Sequence, residues 1–155
     1  MKISSLSIRL LPFLIEVSKA TTTKQTSQCR ALPGTAEWPS SSAWVQLNST
    51  VHGRLIATVP IGTPCHDPNY NQAACEALQQ QWNLPQLHLP SSSSIMTPYF
   101  ANQSCDPFTP ESRPCVLGNY VSYAINVSSS DDVVSGLKFA KKNNIRVVIR
   151  NTGHE

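Results

Sequence analysis

A change of hydrophobic period between residues 120 and 149 constrains the fold of this chain more than any other feature of its sequence. In residues 120–127 apolar and polar side chains alternate, which is the two-residue period of a strand that buries one face. The period then becomes helical, and an apolar, β-branched run follows at 145–149. Strand, helix and strand within about thirty residues predict a right-handed βαβ crossover.

The predicted helix carries signals at both of its ends. Serines at 128–130 can cap it, and Asp131 and Asp132 fall in its first turn, where the helix dipole favours carboxylates. Asn143 and Asn144 tolerate the left-handed conformation that ends a helix. The predicted buried stripe has four apolar members: Val133, Val134, Leu137 and Ala140.

A polar loop with one histidine follows the second predicted strand. Ligands of parallel α/β units collect at the carboxyl ends of the strands, which is where residues 151–154 fall. Gly153 lets backbone N–H groups approach a phosphate closely, and His154 is a usable nucleophile or proton carrier. His154 and Glu155 could also begin a zinc-protease His-Glu-x-x-His motif. That motif requires a helix, which Thr152 and Gly153 disfavour so soon after a β-branched strand.

The run Arg150-Asn151-Thr152-Gly153-His154 resembles the flavin pyrophosphate loop of the vanillyl-alcohol oxidase (PCMH-type) family of FAD-linked oxidoreductases. It is most similar to the fungal members of the berberine-bridge-enzyme-like branch, whose common form is Arg-Ser-Gly-Gly-His, with the histidine bonded covalently to the 8α carbon of the flavin. The resemblance implies that all five residues bind FAD, that His154 is the covalent link, and that the backbone of 151–153 faces the pyrophosphate. The sequence departs from the family's pattern at two positions. Thr152 replaces a glycine, which makes the loop less permissive of positive φ, and Glu155 stands where Asp, Asn or Ser is usual.

The resemblance extends upstream to residue 29. Trp38-Pro39, residues 65–75 and residues 96–108 are similar to the irregular leader before the flavin domain in the fungal proteins. The implied fold class is α+β, in which an α/β-like βαβ unit begins an incomplete PCMH-type FAD-binding domain after an irregular, disulfide-rich leader. The implied boundaries are 1–20 for a signal peptide, 21–114 for the leader and 115–155 for the truncated start of the FAD-binding domain. Because the family's chains are several times longer, we interpret this one as an N-terminal fragment.

The leader itself contains weaker structural signals. Apolar residues between 43 and 60 predict one or two short extended segments, broken near Gly53. Residues 72–82 predict a short helix with Ala74, Leu78 and Trp82 on one face, which Pro85 ends soon afterwards.

Four of the five cysteines fall in two pairs, each ten positions apart. Cys65 pairs in this way with Cys75, and Cys105 with Cys115, and each pair encloses prolines and polar residues. Local disulfides would close two loops in an oxidising compartment, although four cysteines still allow three connectivities. Cys29 is left over, and its partner is expected beyond residue 155. A competing zinc site would use four side chains whose spacing is not that of a finger or ribbon: Cys65, His66, Asp67 and Cys75.

Residues 1–20 have features of a signal peptide. Lys2 gives a basic start, residues 10–15 an apolar run, and Ser18-Lys19-Ala20 small residues at the two positions that a signal peptidase reads. Arg9, Pro12 and Glu16 interrupt the apolar region, which is too short to span a bilayer. Three sequons would be glycosylation acceptors in a secreted protein: Asn48, Asn102 and Asn126. We therefore expect a secreted, extracellular glycoprotein without a membrane span.

Composition and charge exclude other classes. Hydrophobic residues make up 40% of the chain and charged residues 14%, and twelve prolines indicate much irregular backbone in a globular protein. The net charge is +3, without a broad basic face with interleaved aromatics, which argues against a nucleic-acid partner. His52, His66 and His88 have no spacing that suggests chemistry, and we interpret them as surface or loop histidines.

The resemblance implies oxidation of an alcohol, sugar or amine-like carbon of an unidentified small molecule, by hydride transfer to the flavin and then to oxygen. The base that deprotonates the substrate is expected outside this chain, which therefore should have no turnover alone. Alone, it should also aggregate through the exposed apolar edge of residues 145–150. The alternative of another class is a small secreted, disulfide-stapled binding or structural module without a cofactor.

Overall fold

A computed structural model describes residues 29–92, 94 and 102–151 of the chain. The elements, in chain order, are helix α1 (Ser41–Thr50), strand β1 (Leu55–Ala57), a 3-10 helix (Thr63–Cys65), α2 (Gln72–Gln81), α3 (Pro85–His88), β2 (Tyr123–Ile125) and α4 (Ser130–Lys142). This mixture of helices with a small sheet confirms the predicted α+β fold class. The proposed signal peptide and residues 95–101 lie outside the described residues.

The two strands form an antiparallel pair rather than the parallel pair of a βαβ unit. Leu55 lies opposite Ile125 and Ala57 opposite Tyr123, so β2 finds its partner in the leader. The predicted strand at 145–149 has no regular secondary structure. A strand forms only where the backbone of a neighbouring strand accepts and donates its hydrogen bonds. Within the described residues, the one backbone bond of this segment runs from the Ile145 N–H to the Ala140 carbonyl at the end of α4, at 2.9 Å.

Helix α4 begins and ends where its sequence predicts. The Ser129 side chain accepts from the backbone N–H of Asp132 at 3.4 Å, and the Asp132 carboxylate accepts from the Ser129 N–H at 3.2 Å, which makes a capping box. At the other end, Asn143 caps the helix and Asn144 has a φ of 53° in the left-handed region.

The buried face of α4 differs from the predicted stripe. Ala140 is buried, but Val133, Val134 and Leu137 are 39–45% exposed. Which face of α4 is buried depends on the elements that pack against it. Helix α1 and the sheet lie on the side of α4 that carries Phe139, whose ring centroid is 4.8 Å from that of Trp44. The apolar residues outside that contact remain at the surface.

Helix α1 corrects the prediction of extended segments at its position. The Ser40 hydroxyl caps it by accepting from the Ala43 N–H at 3.4 Å, and Trp44, Leu47 and Val51 form its buried face. The rings of Trp44 and Tyr123 stack with centroids 3.9 Å apart. Around these residues lies the first core, which also includes Trp38, Leu55, Ile125, Phe139 and Ile145.

A second core forms around the disulfides of the leader. Cys65 is bonded to Cys75 and Cys105 to Cys115, which confirms the local pairing and leaves no thiolate at 65 or 75 for the alternative zinc site. Helix α2, predicted at 72–82, contributes Cys75 and Leu78 to this core, with Cys65, Trp82, Ile61 and Leu87 around them.

Candidate functional site

The candidate cofactor loop follows the segment that leaves α4. Arg150 and Asn151 belong to the described part of the chain, and both are exposed. Thr152, Gly153 and His154 lie outside the described residues, as does Glu155. Their predicted roles in FAD binding therefore stay predictions.

Asn144 sets the direction in which the chain leaves α4. Its backbone is left-handed, and its side chain joins the start of the leader: Nδ2 donates to the Cys29 carbonyl at 2.7 Å, and Oδ1 accepts from Arg30 Nη1 at 2.8 Å. The Ala31 N–H donates to the Asn144 carbonyl at 3.0 Å. Residues 29–31 thus fix the base of the segment that leads to the candidate loop.

Arg150 binds the leader. Its Nη2 donates to the carbonyl of Leu89 at 3.0 Å, and its Nη1 donates to the carbonyl of Ser91. Both acceptors lie in the turn after α3, a stretch that we call the leader turn, residues 89–92 and 94. The guanidinium is therefore occupied by backbone carbonyls of the leader, a contact that the spacing of residues in the sequence does not reveal.

A buried histidine anchors the leader turn. His88 is 3% exposed; its Nδ1 lies 2.7 Å from the Ser94 hydroxyl and its Nε2 lies 2.7 Å from the Trp82 carbonyl. Because a carbonyl only accepts, Nε2 donates to Trp82, and in the neutral imidazole Nδ1 accepts from the Ser94 hydroxyl. The Ser94 N–H in turn donates to the Ser91 hydroxyl at 3.0 Å.

Two of the three remaining histidines are interior residues, which the sequence interpretation missed. His66 is fully buried, with Nε2 3.1 Å from the Asp106 carbonyl, so it joins the two disulfide loops. His88 joins α2 to the leader turn as described. The sequence signals for burial are that His66 directly follows Cys65 and that His88 lies between Leu87 and Leu89. His52 has a φ of 55° in the turn after α1.

The candidate loop lies in a positively charged part of the chain. Between Asp132 and Glu155 the sequence has no carboxylate and five cations: Lys138, Lys141, Lys142, Arg146 and Arg150. Asp132 itself is neutralised by Arg54, with Nε to Oδ2 at 3.1 Å and Nη2 to Oδ1 at 2.5 Å. These bonds, with those from Ser128, hold the pKa of Asp132 well below its usual range. Such surroundings favour an anionic ligand.

An open groove of about 520 Å³ runs beside the segment that leaves α4. Arg30, Lys141 and Arg146 line it together with Leu137 and Val147. Across residues 29–92, 94 and 102–151, no three His, Cys, Asp or Glu side chains lie close enough together to hold a metal ion. Each helix in that same part of the chain falls short of the length and apolar character that crossing a membrane requires.

Known proteins resemble this chain over most of its length. No protein-family model matches it. An FAD-linked oxidoreductase of Gibberella zeae is 50% identical over 147 residues, which cover 95% of this chain and 26% of that protein. A bifunctional decalin synthase of Penicillium decumbens is 53% identical over 85% of this chain and 24% of that protein. The crystal structure of a VAO-type flavoprotein from Myceliophthora thermophila has a TM-score of 0.77 and 47% identity, over 82% of this chain and 24% of that one.

These matches, together with the mixed fold, relate the chain to a class of proteins, the flavin oxidoreductases. The chain belongs to the FAD-linked oxidoreductases and VAO-type flavoproteins, and it spans about a quarter of the length of the curated relatives it matches. The predicted family is thereby confirmed, and FAD is the cofactor that the family's names imply.

Proposed function

We propose that the protein to which this chain contributes is a secreted FAD-dependent oxidoreductase that oxidises a small molecule with oxygen as the acceptor. The observation that carries the proposal is the 50% identity to an FAD-linked oxidoreductase over nearly the whole chain. The Arg150-to-His154 run supports it, because it supplies a histidine and a phosphate-type loop in one place.

The described residues fit an anionic dinucleotide at this loop. The carboxylate-free, cation-rich stretch after Asp132 offsets the charge of a pyrophosphate. The backbone of Asn151, Thr152 and Gly153 would bind the phosphates. Because the Arg150 side chain is already bonded to the leader turn, this residue would contribute through the position of its backbone rather than as a phosphate ligand.

His154 would be the covalent link to FAD. An imidazole nitrogen of His154 would hold the flavin through its 8α carbon. The hydrogen that each partner loses would pass to oxygen, as two electrons and two protons in all. The bond would hold the cofactor and raise its reduction potential without contacting the substrate. Bound FAD supplies the hydride acceptor for oxidation of the substrate.

The substrate class is an alcohol, a sugar or a similar oxidisable carbon. The two relatives carry different names, one an FAD-linked oxidoreductase and the other a bifunctional decalin synthase, so their likeness to this chain does not single out one substrate. The base that deprotonates the substrate would lie in the part of the relatives that this chain does not span. Residues 1–155 alone would therefore have no turnover.

Secretion is supported by the two disulfides and by the surroundings of the three sequons. Disulfides persist in oxidising compartments. Asn102 and Asn126 are exposed, while Asn48 is half-buried and its Oδ1 accepts from the Leu55 N–H at 3.1 Å. Glycosylation on Nδ2 leaves that oxygen free to accept, so all three remain acceptor candidates.

The test is the intact mass of the native protein from its source, with flavin fluorescence measured in a denaturing gel. We expect a fluorescent species much larger than 17.0 kDa, with the flavin on a peptide that contains His154. The H154A variant should lose the covalent flavin while keeping its disulfides. A dark species near 17.0 kDa would overturn the proposal in favour of the small disulfide-stapled module.

A further inference from the structure

We propose that Arg150 is a positioning residue: it ties the candidate FAD loop to the leader turn, and the buried chain from Ser94 through His88 to Trp82 fixes that turn. The inference rests on the proposed function, because the positioned loop is the one that would hold FAD. It assigns the leader a part in the flavin site that its irregular sequence does not suggest.

The geometry of Arg150 suits a connection between two backbone segments. Its two terminal nitrogens bind two different carbonyls, of Leu89 and Ser91. The planar guanidinium presents these donors in a fixed fork, whereas a lysine at the same position would present a single flexible ammonium. Leu89 is also the C-cap of α3. The Arg150 guanidinium therefore lies at a helix end, where backbone carbonyls have no N–H donor within the helix.

The leader turn is a firm anchor for this connection. His88 and Ser94 are 3% and 9% exposed, and both nitrogens of the imidazole are hydrogen-bonded. Trp82, whose carbonyl accepts from His88, belongs to the core around the disulfide between Cys65 and Cys75. Polar groups that are buried and fully paired rigidify their surroundings. The turn is therefore built into the leader core.

The segment before Arg150 lacks comparable support. Within the described residues, no hydrogen bond fixes positions 146–149, and Val147, Val148 and Ile149 are 46–69% exposed. Arg150 directly precedes Asn151, the first residue whose backbone we propose to bind the pyrophosphate, so its contacts hold the start of the candidate loop beside the leader turn. A loop that is held in place at its start favours attachment of the flavin.

The experiment measures the rate of covalent flavin attachment in the full-length protein and in its R150A, R150K, S94A and R150A/S94A variants. We expect R150A to slow attachment between about tenfold and a hundredfold, the scale that a misplacement of about 1 Å produces. R150K should restore part of the rate. S94A, which does not contact Arg150, should slow attachment as well, and the double variant should be no slower than R150A because both changes release the same turn.

The control is R113A, which removes an exposed arginine of the leader whose Nη1 donates to Gln103 at 3.4 Å. It should attach flavin within about twofold of the unmodified protein. If Arg150 instead binds the pyrophosphate directly, R150A will slow attachment and S94A will leave the rate unchanged. That result would overturn the inference while leaving the proposed function intact.

Hydrogen exchange of the flavin-free protein provides a readout that does not depend on attachment. R150A should speed exchange in the leader turn, where the N–H groups of Leu89, Ser91 and Ser94 are hydrogen-bonded, while R113A should not change it. Unchanged exchange of these three amides in R150A would reject the connection. A colourless unmodified protein would reject the proposed function, and the exchange measurement would still decide whether Arg150 holds the two segments together.

Discussion

At Asp132 one carboxylate joins three parts of the chain. It accepts hydrogen bonds from Arg54 before β1, from the N–H and hydroxyl of Ser128, and from the N–H of Ser129. Its side chain is 3% exposed. The start of α4 is thereby fixed against the turn that leads into the sheet.

The pH dependence of stability follows from this carboxylate. The pKa of Asp132 is lowered in the folded state, first by the hydrogen bonds from Arg54 and then by those from Ser128. The stabilisation is therefore complete above the unfolded pKa, which is about 3.9, and it is lost as the pH falls below that value. We expect D132N to lower the denaturant midpoint at pH 7, and the difference from the unmodified protein to shrink at pH 3.

The neighbouring Asp131 provides the control, because it is exposed in the same helical turn. D131N should change the midpoint little at either pH, through the weak helix-dipole term alone. Equal midpoints for D132N and the unmodified protein at pH 7 would contradict the role given to the Arg54 contact.

His66 and His88 show what single-residue interpretation misses. In the sequence they resemble His52, since none of the three has a partner residue at a spacing that suggests a shared site. In the structure both are buried, and each links segments that are separated along the chain. The carbonyls that bind them come from residues 106 and 82, and no local pattern marks a backbone carbonyl as an acceptor.

Among the elements, the two disulfide loops pack closely at Gly62. A Cβ at this position would overlap the backbone carbonyl of Cys105 and lie 3.3 Å from its sulfur. Gly136 in α4 is a useful contrast, because a Cβ there would meet only the end of the Ile125 side chain, at 2.8 Å. Backbone at a disulfide cannot move aside easily, whereas the end of a side chain can.

We therefore expect G62A to destabilise the protein by about 1–3 kcal/mol, the usual cost of overpacking. G136A should be close to neutral, because the contact with Ile125 opposes a gain of up to about 1 kcal/mol in helix propensity. Denaturant unfolding of the oxidised protein measures both values. A neutral G62A would mean that the loops can separate without cost.

The element boundaries were predictable where the signals are local. The limits of α2 and α4 follow from Asn71, Ser129 and Asn144, which act on the backbone within a few residues. The prediction of extended segments at α1 was wrong, although it rested on the apolar residues between 43 and 60. The Ser40 cap begins a helix there, and Trp44, Leu47 and Val51 share its buried face at helical spacing.

For the molecule as a whole, the exposed apolar surface after α4 is the main liability. Val148 and Ile149 are 66% and 69% exposed, and Val133 and Leu137 add to the apolar area on α4. Residues 145–150 offer backbone groups without a strand partner in the described structure. In the longer relatives, further chain is available to cover such a surface.

Produced alone, residues 1–155 should aggregate, and V148K should increase the soluble fraction several-fold by placing a charge on the exposed edge. V45K is the control, because Val45 is 65% exposed on α1, away from that edge. Sedimentation and light scattering measure the outcome. A soluble, monomeric and cooperatively unfolding chain without any substitution would contradict the expectation.

The sequence by itself determined the family, through motifs spread from residue 29 to residue 155, and the mixed fold class. It also determined the extents of α2 and α4, because helix signals act on residues that are close together in the chain, and it favoured the local disulfide pairs among three connectivities, which the structure then decided. The tertiary structure decided the antiparallel partner of β2, the exposed face of α4, the burial of His66 and His88 and the contact of Arg150 with the leader turn. Each of these depends on which distant backbone or ring lies opposite. Hydrophobic periodicity specifies that a face is apolar, but only packing determines what covers it.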